Sequence, residues 1–323
     1  MHRPPRLVVT LALTVALGLS GCGDSDDQTD DTTPPAETTA APEATVAPAT
    51  TAASAAPALD DSPLDLGRVV VIGEEFLLAD VLALGGQPVA ATATLEDRFV
   101  GIERDTSAIE PFSPIEPNFE RLAAFQPDLI ITTTGVASFV GEEIFEEIAE
   151  TAIVDNSDWR AQVTQLGEAM GVPERAEALL ASYDDAVAAA SGQIPTDLRV
   201  TVATVYVGPS VAAWTDGPVN IPAVLLDLGI TLTPGAGELD GESNGRVYLS
   251  EELITELDGD LLVLAQTAGV EGEDAALAEV AEGELWQGLP AVAADNTLAV
   301  DRLGYPGVEG RIRLIDDVLA ALG

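Results

Sequence analysis

The chain has 323 residues, 47% of them hydrophobic, which suits one or two domains with an ordinary core. It carries 55 acidic residues against 13 basic ones, all of them Arg, for a formal net charge of −42. That balance excludes a nucleic-acid binder, which needs a basic face, and a polybasic membrane contact, and its plain reading is solubility in a salty habitat.

Residues 1–21 read as a signal peptide. Arg3 and Arg6 precede an apolar run from Leu7 to Leu19 that falls short of the ~20 residues a membrane span needs. Leu19-Ser20-Gly21-Cys22 resembles a bacterial lipobox, which implies cleavage before Cys22 and lipid attachment to its sulfur. Cys22 is the only Cys, so no disulfide forms within the chain. Residues 22–65 are nearly all Asp, Thr, Pro and Ala, a composition that cannot offset ordering entropy. They are expected to form a tether reaching on the order of 100 Å.

The folded part follows. Residues 68–72 (RVVVI), bounded by glycines, read as a buried parallel strand. A helix is expected over 76–84 with Gly85-Gly86 as its stop, then a strand over 88–92. Residues 93–117 form a long loop with three prolines, a length that points to function or disorder. Next come a helix capped by Asn118, a strand over 129–132, a helix over 142–148, a strand over 152–154 and a helix over 159–170. Pro173 opens an Ala-rich helix running to about residue 190. Strands are then expected over 200–207, 261–265 and 297–300, with helices over 222–228, 251–257, 274–282 and 308–322. Alternating strands and helices predict an α/β fold of two Rossmann-like lobes with parallel sheets, joined by a single long helix. The boundaries are 66–171 for the first lobe, 172–192 for the connecting helix and 193–323 for the second lobe.

One unit occurs twice. In PNFERLAAFQPDLII and SEELITELDGDLLVL, Glu120 falls on Glu252, Asp128 on Asp260 and Leu129 on Leu261, at a constant offset of 132. The distance is too long for a solenoid period and suits two similar lobes.

Catalytic chemistry is poorly represented. His2 is the only His and lies in the signal peptide, so the mature chain lacks Ser-His, Cys-His and His-zinc systems. With 55 acids, a carboxylate pair is expected by chance and argues little for a glycosidase. No enzyme activity, cofactor or resident metal is expected.

The run from Ile115 to Leu122, followed by Ala124 to Ile130, resembles a signature of class III solute-binding proteins. These feed ABC importers of ferric siderophores, vitamin B12 and haem. Residues 247–253 and 285–301 resemble two further segments of that family, while 69–75 match it weakly. The resemblance implies a monomeric extracytoplasmic lipoprotein that delivers a ferric siderophore to a permease dimer with its ATPase. Cobalamin or haem, or a non-transport cell-surface role on the same fold, are the alternatives. The acidity favours neutral or cationic hydroxamate complexes over trianionic catecholates. Ligand held between lobes implies candidate groups at Arg98 and Arg104 in the first lobe and at Tyr206, Trp214, Arg246, Arg302 and Tyr305 in the second. Packing stays open for Tyr206 and Trp214, and surface pairing for the arginines; Trp159 and Trp286 are assigned to packing. Glu120 and Glu252 match the family's glutamates that pair with permease arginines. A one-helix hinge implies little lobe closure.

Overall fold

The computed structural model describes residues 60, 62–113, 119–208, 210–215, 220–267 and 269–323. The signal peptide, Cys22, most of the tether and the Asn118 cap lie outside the described residues. The described residues fall in one compact unit.

The first lobe runs β1 (Val69–Ile72), α1 (Glu74–Ala83), β2 (Pro88–Thr92), β3 (Glu110–Phe112), α2 (Phe119–Ala124), β4 (Leu129–Thr133), α3 (Thr134–Val140), α4 (Glu142–Glu146), β5 (Glu150–Val154) and α5 (Trp159–Ala169). Its sheet is wholly parallel, in the order β3-β2-β1-β4-β5. Both faces of β1 are buried: Val69 and Val71 enter the central core, and Val70 and Ile72 the outer layer. That is why the apolar run is continuous rather than alternating. At the end of α1, the Gly86 N–H bonds to the Val81 carbonyl and the Gly85 N–H to that of Leu82. Gly85 has φ 94°, the left-handed closure the Gly pair foretold.

Helix α6 (Pro173–Ser191) leads to the second lobe. Gly167 lets α5 and α6 approach closely, since a Cβ there would sit 2.4 Å from that of Ala176. The second lobe comprises β6 (Arg199–Tyr206), β7 (Ser210–Trp214), α7 (Asn220–Asp227), β8 (Thr231–Leu232), β9 (Arg246–Tyr248), a 3₁₀ helix (Glu251–Glu256), β10 (Leu261–Gln266), α8 (Glu273–Ala281), α9 (Glu284–Gln287), α10 (Pro290–Ala293), β11 (Thr297–Asp301) and α11 (Gly307–Leu322). Its sheet has the order β11-β10-β6-β7-β9.

This second sheet departs from the expectation of two parallel sheets. Strands β6, β10 and β11 are parallel, but β7 pairs antiparallel with β6, and β9 antiparallel with β7. A tight turn after β6 folds the chain straight back, which needs no crossover helix. The helix expected over 251–257 is a 3₁₀ helix.

Helix α11 packs against α6, α7 and α1, so the end of the second lobe is seated on the first. The Val308 N–H donates to the buried Asp80 carboxylate of α1 at 2.8 Å, and Arg313 donates to the Gly101 carbonyl at 2.8 Å. Among the described residues, no helix is long and apolar enough to cross a membrane.

Candidate functional site

Two adjoining chambers lie between the lobes, both bordered by Phe76 and Asn220. The loop after β2, whose Thr94 and Leu95 line one of them, starts from a fixed point. The Glu75 carboxylate, 1% exposed, accepts from the Thr94 hydroxyl at 2.6 Å and from the Thr94 and Val100 N–H groups.

The first chamber, about 290 Å³, lies between Phe76, Thr94 and Leu95 of the first lobe and Trp214, Arg246 and Arg302 of the second. Trp214 ends β7, and its indole N–H donates to the Thr204 hydroxyl at 2.9 Å, which leaves the ring face to the cavity wall. Arg246 opens β9. Its guanidinium lies 5.4 Å from the Trp214 ring, 5.8 Å from Tyr206 and 5.3 Å from Tyr248, and Nη1 donates to the Tyr206 hydroxyl at 3.1 Å. No carboxylate of the described residues is paired with it. Arg246 is thus a cation held by aromatic faces rather than by a counter-ion.

Arg302 differs. Its Nε donates to the Thr267 hydroxyl at 2.9 Å, and Nη2 lies 3.6 Å from the Glu273 carboxylate, whose side chain is 4% exposed. Glu273 also accepts from the Thr267 N–H. Arg302 therefore lines the chamber, 4.9 Å from the Tyr206 ring, with its charge already balanced.

The structure thus gathers Tyr206, Trp214, Arg246 and Arg302. Arg98 is half exposed and paired with Asp97, with its Nη2 against Gly269 of the second lobe, where a Cβ would come within 2.5 Å. Two expected residues stand elsewhere. Arg104 makes a two-bond pair with Glu309 of α11, at 2.9 and 2.7 Å, in a separate recess of about 460 Å³. Tyr305 is 8% exposed; its hydroxyl donates to Asp317 at 2.8 Å, and burial and that carboxylate push the phenol above its ordinary range. Arg104 lies in the long loop and Tyr305 after the last strand, and α11 draws both into its own packing. Glu120 and Glu252 are exposed, in the first turns of α2 and of the 3₁₀ helix.

The second chamber, about 490 Å³, was not foreseen. It lies where β1, β2 and β4 end, under α3, with Trp159, Gln162 and Arg311 along one side. Arg311 is 3% exposed, stacks 4.1 Å from the Trp159 ring, and its Nη1 has no hydrogen-bond partner among the described residues. Burial pulls its basicity below the usual range, opposed by Tyr183, Asp80 and Asp227. Trp159, read as packing, is half-buried and lines this chamber. A sequence signal existed: Val308, Arg311, Leu314, Ile315 and Val318 share one helical stripe, so Arg311 sits at an apolar position.

Known proteins match at this point. The family model described as "Periplasmic binding protein" matches residues 70–301. The ferric enterobactin-binding periplasmic protein FepB of Escherichia coli O6:H1 is 32% identical over 162 residues, covering 46% of this chain. The chain spans half the length of FepB, 50%. The "Probable siderophore-binding lipoprotein YfiY" of Bacillus subtilis (strain 168) is 26% identical over 284 residues, covering 80% of this chain and 83% of YfiY. Among solved structures, Staphylococcus aureus SirA complexed with staphyloferrin B matches with a TM-score of 0.66 at 22% identity, over 79% of this chain and 92% of SirA. That last likeness is one of fold.

Proposed function

The chain belongs to the periplasmic binding protein family, and on that premise we propose that it is the binding component of an ABC importer and holds a ferric siderophore between its lobes. The observation that carries this reading is Arg246, an uncompensated cation in an aromatic surround on the wall of a half-open cavity between the lobes. A metal chelate presents ligand oxygens on an apolar body, and a guanidinium among rings matches both. FepB and YfiY, to which the chain is similar, are named for siderophore binding. A single uncompensated guanidinium in this chamber, among the described residues, fits a chelate of low negative charge, in keeping with the repulsion the −42 net charge imposes on polyanions.

The iron is cargo, and no resident cofactor or turnover belongs to this reading. Trp214, Arg246 and Arg302 on the wall, with Tyr206 against the two arginines and Arg98 against Gly269, are the ligand groups. Cys22 is the lipid anchor that keeps the monomer at the extracytoplasmic face of the membrane. Glu120 and Glu252 are the docking groups, one per lobe, for the two halves of a permease dimer with its ATPase.

The test is a fluorescence titration of the purified chain against ferric hydroxamate, catecholate and hydroxycarboxylate siderophores, cobalamin and haem. Saturation by a ferric siderophore is expected, weakened at least about tenfold by Arg246→Ala, the worth of one charge-assisted hydrogen bond. Saturation by cobalamin or haem alone, or by none of the panel, overturns the reading.

A further inference from the structure

The larger chamber has a chemistry that the chelate reading does not use. Its walls are apolar: Ile72, Leu77, Val136 and Val140 line it, with Phe139, 85% exposed, at its lip. At one side sits Arg311, 97% withdrawn from solvent, with the flat face of its guanidinium on Trp159 and Nη1 unpartnered among the described residues. A buried donor without a partner is rare in a folded protein and marks a place where an acceptor belongs.

The neighbours restrict which acceptor. Asp80 and Glu74 line the same space. Asp80 already accepts the Val308 N–H, and Glu74 stands in the left-handed region at φ 59°, held there by two backbone bonds to the Thr92 hydroxyl at Gly73 and Glu74. Glu74 beside the one guanidinium, joined by Asp80 once it ionises near pH 7, disfavours a dianion such as a phosphate ester. A planar monoanion with two oxygens matches the guanidinium fork and adds only one charge. The apolar walls require that the rest of the ligand be hydrocarbon.

We propose that this chamber is a binding site of its own for a monocarboxylate with an apolar body, an aryl or short-chain acyl acid, whose carboxylate meets Arg311 and whose body lies against Trp159, Val136 and Phe139. The site goes beyond the chelate cavity and stands or falls separately from it. The acid is either a free metabolite or an arm of the cargo that reaches past Phe76 and Asn220, the residues common to both chambers.

Calorimetric titration of the full chain with benzoate and hexanoate, set against benzamide and hexanamide, tests it. At least one acid is expected to saturate at or below about 1 mM, with its amide at least about tenfold weaker because the charge-assisted bonds are lost. Arg311→Gln should abolish the preference for the acid. Because Arg311 is buried and its replacement risks the fold, Phe139→Asp serves as the second variant: it is solvent-exposed, so the melting temperature should hold while acid affinity drops. Repeating the titration on protein saturated with the ferric siderophore from the panel separates the sources: mutual exclusion assigns the acid to an arm of the cargo, and simultaneous binding to a free acid. No heat with either acid, equal binding of acid and amide, or an unchanged affinity in the folded variants overturns the proposal, whatever the siderophore panel gives.

Discussion

Asp80 offers a quantitative test of how the lobes are joined. It is fully buried in α1, accepts the Val308 N–H at the start of α11, and burial pushes its carboxyl up from 3.8 to about 7, against the pull of the Val308 bond and of Arg311. The folded state therefore keeps a proton that the unfolded chain releases. Between pH 3.8 and about 7 the native state holds more protons than the unfolded one, so this group makes stability fall as pH rises. Above about 7 the loss is complete; below 3.8 it is absent. At ~1.4 kcal/mol per pH unit the full effect is about 4 kcal/mol, an upper figure for so buried a group.

Asp80→Asn removes the ionisation and keeps an oxygen for the Val308 N–H. The variant is expected to be more stable than the parent by about 2–4 kcal/mol at pH 8, with the gap closing toward pH 4. Urea unfolding followed by Trp fluorescence at several pH values gives the difference directly, and an unchanged m-value shows that the same surface is exposed. The subtraction matters, because the other acids of this chain also titrate over that range. A parallel pH profile for the two proteins, or a less stable variant at pH 8, would refute the reasoning; the second result would mean that attraction to Arg311 outweighs burial.

Three other outcomes follow from the same geometry. Arg302→Ala leaves Glu273 buried without its cation, so it should lower stability by about 1–3 kcal/mol in thermal or urea unfolding, whereas Arg246→Ala should leave stability nearly unchanged. Because α11 ties both lobes together through Asp80, Arg104 and Arg313, scattering profiles of apo and ligand-saturated protein should nearly superimpose; a large compaction on binding would contradict this. Glu120→Ala and Glu252→Ala should each reduce uptake with ligand affinity intact, the double variant most, and normal uptake by the double variant at equal expression would remove the docking role.

The sequence made the parallel core legible because strands buried on both faces read as unbroken apolar runs, as at β1 and β10. It did not reveal β7 and β9. Ser210–Trp214 follows β6 too closely to stand out as a separate strand, and Arg246–Tyr248 has only three residues. The cleft was legible where a residue sits on the second sheet facing the other lobe, as Trp214, Arg246 and Arg302 do. Arg104 stands elsewhere because nothing local in the sequence says that α11 returns to the first lobe, a tertiary fact carried by pairs some 200 residues apart such as Arg104 and Glu309, while Tyr305 is drawn to Asp317, further along α11. Arg311 was overlooked for the opposite reason: its helical position was apolar, and only its residue type suggested the surface.

The repeated unit has a structural explanation that separates its parts. Asp128 accepts the Arg68 N–H at 2.7 Å and returns its own N–H to the Arg68 carbonyl at 2.8 Å; Asp260 does the same with Arg199, at 3.0 and 2.7 Å. Each arginine also reaches back to a carbonyl just before the aspartate, of Phe125 or of Asp258. Parallel neighbours have no hairpin to set their register, and a one-residue slip would turn every side chain to the wrong face. The aspartate clasp sets it, pairing Val69 with Leu129 in one sheet and Val200 with Leu261 in the other. Gly259 fits the same logic, since a Cβ there would meet the Thr201 nitrogen at 2.6 Å. The clasp accounts for the repeat from Asp128 and Asp260 onward. It does not account for Glu120 and Glu252, eight residues upstream, whose exposed carboxylates enter no ion pair or hydrogen bond among the described residues. The aspartates hold strand register, whereas the glutamates enter neither clasp, so the docking role proposed for them is the part of the repeat that the uptake assay decides.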